Sequence, residues 1–175
     1  MGDTLITIIA IFLAATLMFV FPLMSVSERT DDITQLNIQT LTTQFVDNIR
    51  TTGKFTEANY GTFIERLAAT GNAYDVELEF KIQDSNPGRK PAAGTSTTKI
   101  GENLYYSEYT SQILEETRNN NGVKNLKEGD IVSVKVKNTN KTISEMLRNF
   151  FYSLSGDDTY QIAASHSGVV MSAGR

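Results

Sequence analysis

The sequence predicts an α+β protein: a long N-terminal transmembrane and stalk helix followed by a small antiparallel sheet packed with helices. Three observations carry this reading. No residue from Thr4 to Ser27 is charged, no Pro or Gly interrupts Glu28 to Thr52, and beyond Gly53 stretches of helical spacing alternate with strict two-residue periodicity. The chain of 175 residues thereby divides into a membrane-spanning segment (1–26), an amphipathic stalk (27–52) and a globular head (53–175) with an exposed loop at 84–103.

The first element is the apolar run. Leu5 to Met24 is apolar at 17 of its 20 positions, and at about 1.5 Å per residue such a helix is about 30 Å long, enough to cross a bilayer. A cleaved secretory signal would need basic residues before the run, a shorter apolar stretch and small residues at its end. Here only Met-Gly-Asp-Thr precedes it, and Phe21-Pro22-Leu23-Met24 closes it. The run is therefore read as a retained anchor. Arg29, the first basic residue, follows the span, so charge asymmetry gives no support for placing the head outside. Pro22 removes one backbone hydrogen bond and is expected to kink the helix within the span.

In the stalk, Ile38, Leu41, Phe45 and Ile49 fall within about 80° of one another at 100° per residue, a stripe suited to packing on the head. Val26, Ile33 and Leu36 lie on a different face, which suggests contact with another copy of the chain. Together with Leu5, Ile9, Phe12 and Leu17 in the span they are the candidate subunit-packing residues. Helix from Thr4 to Thr52 would form a rod of about 73 Å.

Next, Tyr60, Phe63, Ile64 and Leu67 at i, i+3, i+4 and i+7 predict a short helix stopped at Gly71-Asn72. Tyr74, Val76, Leu78, Phe80 and Ile82 alternate with charged residues as a strand with one wet face, and Ile131 to Lys137 reads as a second strand. Between them, Asp84 to Asn103 holds two of the three prolines and three glycines, a long exposed loop. Tyr105, Tyr106 and Tyr109 then precede a helix ending at Asn119-Asn120-Asn121-Gly122 and are candidates for a surface contact. Thr142 with Glu145 forms a capping box for a helix whose apolar face is Ile143, Met146, Leu147, Phe150, Phe151 and Leu154. The tail, 159–172, is β-prone and expected to break or bulge at Ser165-His166-Ser167-Gly168.

Composition removes several functions. Beyond residue 26 the chain carries 16 basic and 19 acidic side chains, without the positive excess that phosphate backbones require, so nucleic acid is not an expected partner. There is no Cys, and the single His166 between Ser165 and Ser167 reads as a turn residue, because neighbours on a strand point to opposite faces and do not make a triad. Asp31-Asp32 and Asp157-Asp158 lack calcium-loop spacing, and no glycine-rich phosphate loop is present. Asn140-Lys141-Thr142 matches a glycosylation acceptor, but Thr142 is already read as a helix cap. The reading is non-enzymatic, with no cofactor and no metal.

An almost uncharged N-terminal helix with a proline at position 22, an amphipathic stalk and a small α+β head resembles the type IV pilin superfamily. The stretches Phe45-Val-Asp-Asn-Ile-Arg-Thr-Thr-Gly-Lys-Phe-Thr and Leu67-Ala-Ala-Thr-Gly-Asn-Ala-Tyr-Asp-Val-Glu-Leu-Glu are similar to pilin-like proteins of bacterial tight-adherence pili. The resemblance implies a structural subunit of a cell-surface filament, processed between Gly2 and Asp3, extracted from the bilayer by pilus assembly machinery and packed through its apolar helix against other pilin-like subunits. It also implies a head outside the cell. The family's usual basic residues before the cleavage glycine are missing here, and Thr7 stands five residues after Gly2 where the family has Glu, which implies a minor or initiating subunit. The alternative reading is a single-pass anchored binding module or a pilus-assembly component.

Overall fold

The computed structural model describes residues 2–85, 104–140, 142, 146 and 163–174, with the backbone of 90–91 and 98–99. Helix α1 runs unbroken from Gly2 to Thr52, 51 residues that include Pro22. Strand β1 (Lys54–Thr56), helix α2 (Glu57–Ala68), strand β2 (Tyr74–Gln83), a two-residue pair β3 (Lys90–Pro91) and β4 (Thr98–Lys99), and strand β5 (Tyr105–Tyr109) follow. Helix α3 (Thr110–Asn119), β6 (Val123–Asn125), β7 (Ile131–Asn138) and β8 (Ala163–Val169) complete the described elements. The main sheet is antiparallel with order β5-β2-β7-β8, and β1 pairs with β6 as a small ribbon. This is the expected α+β arrangement.

Each element follows from local chemistry. Thr56 begins α2 because its hydroxyl accepts the amide of Asn59, at 3.2 Å. Alternation in β2 places Leu78, Phe80 and Ile82 in the core and leaves Glu77 and Gln83 in water; Val132, Val134 and Val136 repeat the pattern opposite them on β7. The end of α3 is turned by Asn121 and Gly122, both with positive φ.

The C-terminal half of α1 is the spine of the head. Ile38, Val46 and Ile49 are fully buried, Phe45 nearly so, and Leu41 packs at the margin. Phe45 stacks on Phe63 with centroids 4.3 Å apart and meets Phe55 edge-on, which in turn meets Phe80 edge-on, so one chain of rings joins stalk, ribbon, α2 and sheet. Threonine hydroxyls along the stalk, including buried Thr42, donate to the carbonyl four residues back, which satisfies them inside the helix.

Strand β8 would leave a raw sheet edge, and α1 covers it with two side chains. Gln35 accepts the amide of Ala163 at 3.1 Å and donates to the same residue's carbonyl, as a neighbouring strand would; Arg50 Nε donates to the Val169 carbonyl at 2.9 Å. Fifteen helical residues rise about 22 Å and six strand residues about 20 Å, so helix and strand run alongside in the same direction with both clamps engaged. Gly168 makes this possible, since a Cβ there would meet Arg50 Nε at 2.4 Å. With α1 and β8 pointing away from the apolar run, the end of β7 at Asn138 and the Asn140 that follows lie at the proximal end of the head, and Gln83, Asp84, Leu104 and Tyr105 lie at the distal end.

The tail differs from the expectation. Ser165 to Gly168 neither break nor bulge the strand; they lie within continuous β8, paired with Val132 to Lys135. Edge capping by α1 explains why a run of small polar residues stays extended. Tyr105 to Tyr109 likewise form a strand of their own, paired with Glu79 to Gln83, and the short β1 and β6 were not foreseen. The expected helix at 142–154 lies outside the described residues except Thr142 and Met146, as does most of the 84–103 loop. The Thr142 hydroxyl donates to buried Asp31 at 2.9 Å, which ties the proximal end of the head to the stalk.

Gly53 closes α1 with φ +66° and lies under the C-terminal segment, where a Cβ would meet the Ser172 carbonyl at 2.1 Å and the Gly174 amide at 2.3 Å. Gly53→Ala is expected to destabilise the head by roughly 2 to 5 kcal/mol through strain and collision. Gly61, in α2 with open space around it, is the internal control: Gly61→Ala is expected to stabilise by about 0.4 to 1 kcal/mol. Thermal melts of the full chain followed by circular dichroism check both signs.

Candidate functional site

The candidate interaction surfaces lie on the two parts of α1 that the head leaves uncovered. The apolar half, through Leu5, Ile9, Phe12 and Leu17, is exposed along its length, and it is the one helix, among the described residues, long and apolar enough to cross a membrane. Gly2 and Asp3 form its first turn, where the Asp3 carbonyl accepts the Thr7 hydroxyl at 2.7 Å.

At the end of the candidate span and on the stalk beyond it, Val26, Ile33 and Leu36 are 62%, 70% and 68% exposed. At 100° per residue their mean direction lies about 140° round the helix from the Ile38, Leu41, Phe45 and Ile49 stripe. The helix is thus apolar on two sides, one buried in its own head and one bare. Three large apolar side chains in a row on a charged stalk present more apolar surface than an isolated exposed residue does.

The tyrosines separate by role. Tyr105 and Tyr109 lie on the outer sheet face, with the Tyr105 hydroxyl donating to the Gly129 carbonyl at 3.3 Å, whereas Tyr106 lies on the α3 side. Burial, together with the neighbouring Glu108, raises the Tyr106 phenol above its ordinary value. All three are substantially exposed.

Groups capable of acid-base chemistry are dispersed. His166 lies in β8 rather than in a turn, with Nε2 at 3.7 Å from Asp47 on the stalk, while Ser165 and Ser167 face the other side of the sheet. Asp47 is in turn held by Arg50 at 2.8 Å. Asp157 and Asp158 lie outside the described residues. No group of three His, Cys, Asp or Glu side chains converges on one point among the described residues. The Asn140 side chain accepts the Ala73 amide and donates to Asn72, so the acceptor nitrogen of the Asn140-Lys141-Thr142 motif is engaged in the fold.

Sequence reasoning passed over one ionic cluster because its members lie far apart in the chain. Lys124 on β6 is 3% exposed and bonds Glu108 on β5, at 2.7 Å, and Glu116 on α3. Burial pushes its ammonium down, and the hydrogen bonds and charges of the two carboxylates outweigh this, leaving its pKa above the ordinary 10.5. The cluster binds α3 to both small strands and is a brace. The chain matches no family model, no curated protein and no solved structure.

Because the folded pKa of Lys124 lies above its unfolded value, its stabilisation is complete below about pH 10 and is lost as pH rises through the folded pKa. Glu108→Gln removes one carboxylate from a nearly dry lysine. It is expected to cost about 1 to 3 kcal/mol at pH 7 and to move the onset of alkaline unfolding to lower pH, as read by circular dichroism between pH 7 and 11.

Proposed function

We propose that the chain is a structural, non-enzymatic, pilin-like subunit of a bacterial surface filament of the tight-adherence kind, in a minor or initiating role. Residues 5–24 hold it in the membrane before assembly, the head faces outward, and the apolar helix packs against other subunits once extracted. The observation that carries this reading is the continuity of α1. One unbroken helix is both the candidate span and the buried spine of the head, so no loop separates the head from the span. A simple tether gains nothing from that continuity, whereas a subunit that must present a fixed face to its neighbours needs it.

The bare stripe of Val26, Ile33 and Leu36 supports the same reading. Val26 closes the spanning segment beside the proximal end of the head, and Ile33 and Leu36 lie beyond the apolar run on a face the head leaves bare. The second reading, a single-pass anchored binding module or assembly component, is favoured by the exposed tyrosines of β5. The two part on the span: a tether tolerates any apolar order, while filament packing depends on which side chains meet.

Immuno-electron microscopy of sheared surface material, with antibody to the head, is expected to label filaments. Filaments, or their labelling, are expected to be lost on scrambling Leu5–Met24 at constant composition and in the Ile33→Asp, Leu36→Asp double variant, with the protein still present in membranes. Label confined to membranes in the parent strain, or function that survives the scramble, would favour the anchored module.

A further inference from the structure

The proximal end of the head is tied to α1 at two points about one turn apart. The Thr142 hydroxyl donates to Asp31 at 2.9 Å, and Gln35 holds both backbone groups of Ala163. The chain therefore leaves the described head and returns to it at the level of residues 31 to 35. Asp31 is seven residues past Met24, the last residue of the apolar run, which places it about 10 Å beyond that run along the helix axis. The polar layer of a bilayer is about 5 to 8 Å deep on each side of the hydrocarbon. Both ties thus stand just outside a membrane that residues 5–24 cross.

Two observations bear on what this end of the head meets. The Met146 amide donates to the Thr142 carbonyl at 3.0 Å, the spacing of a helical turn, yet the Met146 side chain is 53% exposed. Met146 belongs to the apolar face that the sequence gives to 142–154, which continues through Leu147, Phe150, Phe151 and Leu154. A face of that size needs a cover. The second observation is on α1. Val20 and Met24 are part-buried, whereas every other described residue from Gly2 to Val26 is exposed. At 100° per residue Val20, Met24 and Asp31 fall within about 40° of one another. Shielding of the helix on the Asp31 side thus continues past the head into the last turn of the apolar run, at the depth of the acyl chains.

We propose that the proximal end of the head rests on the lipid surface, with Met146 and the apolar face to which it belongs lying in the interfacial layer of the bilayer that α1 crosses. The inference rests on the reading of residues 5–24 as a span. The level of the two ties selects lipid over a second copy of the chain, because a face held there meets glycerol and acyl chains around its own span. An amphipathic helix buries its apolar side about 5 to 10 Å into that layer, the distance that separates Asp31 from Met24. The contact is apolar rather than ionic: residues 141–162 carry two basic and three acidic side chains, with no positive excess to draw them to anionic headgroups. A zwitterionic bilayer is sufficient. Extraction of the subunit then has to lift this face as well as the span.

Methionine-methyl NMR of the full chain in nanodiscs of phosphatidylcholine tests this on the unsubstituted protein, with Met18→Leu, Met24→Leu, Met146→Leu and Met171→Leu used only to assign signals. The other methionines are internal controls. Met18 and Met24 lie in the apolar run, while Met171, 57% exposed, is bonded to the Arg50 carbonyl, about 39 Å along α1 from Met24. A nitroxide carried on the lipid acyl chain is expected to attenuate Met18, Met24 and Met146 and to spare Met171. A water-soluble gadolinium chelate is expected to attenuate Met171 and to spare Met146, and both patterns are expected to be the same at low and high salt. Attenuation of Met146 by the chelate as strong as that of Met171, protection of Met146 from both probes, as cover by a second copy would give, or loss of its lipid contact at high salt would overturn the proposal. Met18 left untouched by the nitroxide lipid would overturn the span itself, and the proposal with it, so the two failures are told apart.

Discussion

The interaction on which the structure depends is the insertion of one helix face into the head. Ile38, Phe45, Val46 and Ile49 join the core of the sheet to the aromatic chain from Phe63 to Phe80. A sheet of four strands with one apolar face has to bury that face against something. Here the something is the continuation of the candidate membrane-spanning helix, so the burial that stabilises the head also fixes its direction relative to that helix.

Two further constraints follow from that choice. A helix laid along β8 must approach closely enough to satisfy the edge, which demands glycine at 168 beneath Arg50 and a side chain at 35 that both donates and accepts. The chain must also leave the helix abruptly at Gly53 to return across the core through β1. The C-terminal segment then covers that corner: the Met171 amide donates to the Arg50 carbonyl, and the Gly174 amide to the carbonyl of Leu126. The start of the head and the end of the described chain therefore meet at one distal corner. The ionic brace at Lys124, on the strand paired with β1 beside that corner, holds α3.

Much of this was legible in the sequence wherever a single periodicity ran long enough to dominate. The alternation of β2 and β7, the four-residue face of α2 and the stalk stripe are each set by burial on one side, and each is found where the pattern places it. Elements decided by tertiary partners were not legible. β1 and β6 are three residues each, too short to show a period. β5 reads Tyr-Tyr-Ser-Glu-Tyr without alternation, and β8 holds small polar residues that become a strand because α1 supplies the hydrogen bonds at its edge. Val46 and Thr42 were missed on the stalk because the head wraps further round the helix than the four-residue stripe implied. The site residues divide in the same way: the bare face of α1 could be seen from helical phase alone, while the ionic cluster of Glu108, Glu116 and Lys124 comes from three elements and has no local signature.

The two clamps between stalk and edge strand also have a mechanical consequence. Gln35 and Arg50 engage β8 near its two ends, and helix and strand point the same way, so tension applied along the helix would load both contacts and the buried stripe between them together, in shear. Bonds arranged in parallel share a load that bonds arranged in series would meet one at a time. A head attached in this way resists being drawn off its stalk lengthwise far better than being peeled from the side, and survival under a pull depends on its unfolding rate rather than on its equilibrium stability alone. A thread hauled from one end would ask for that direction of strength in every bead.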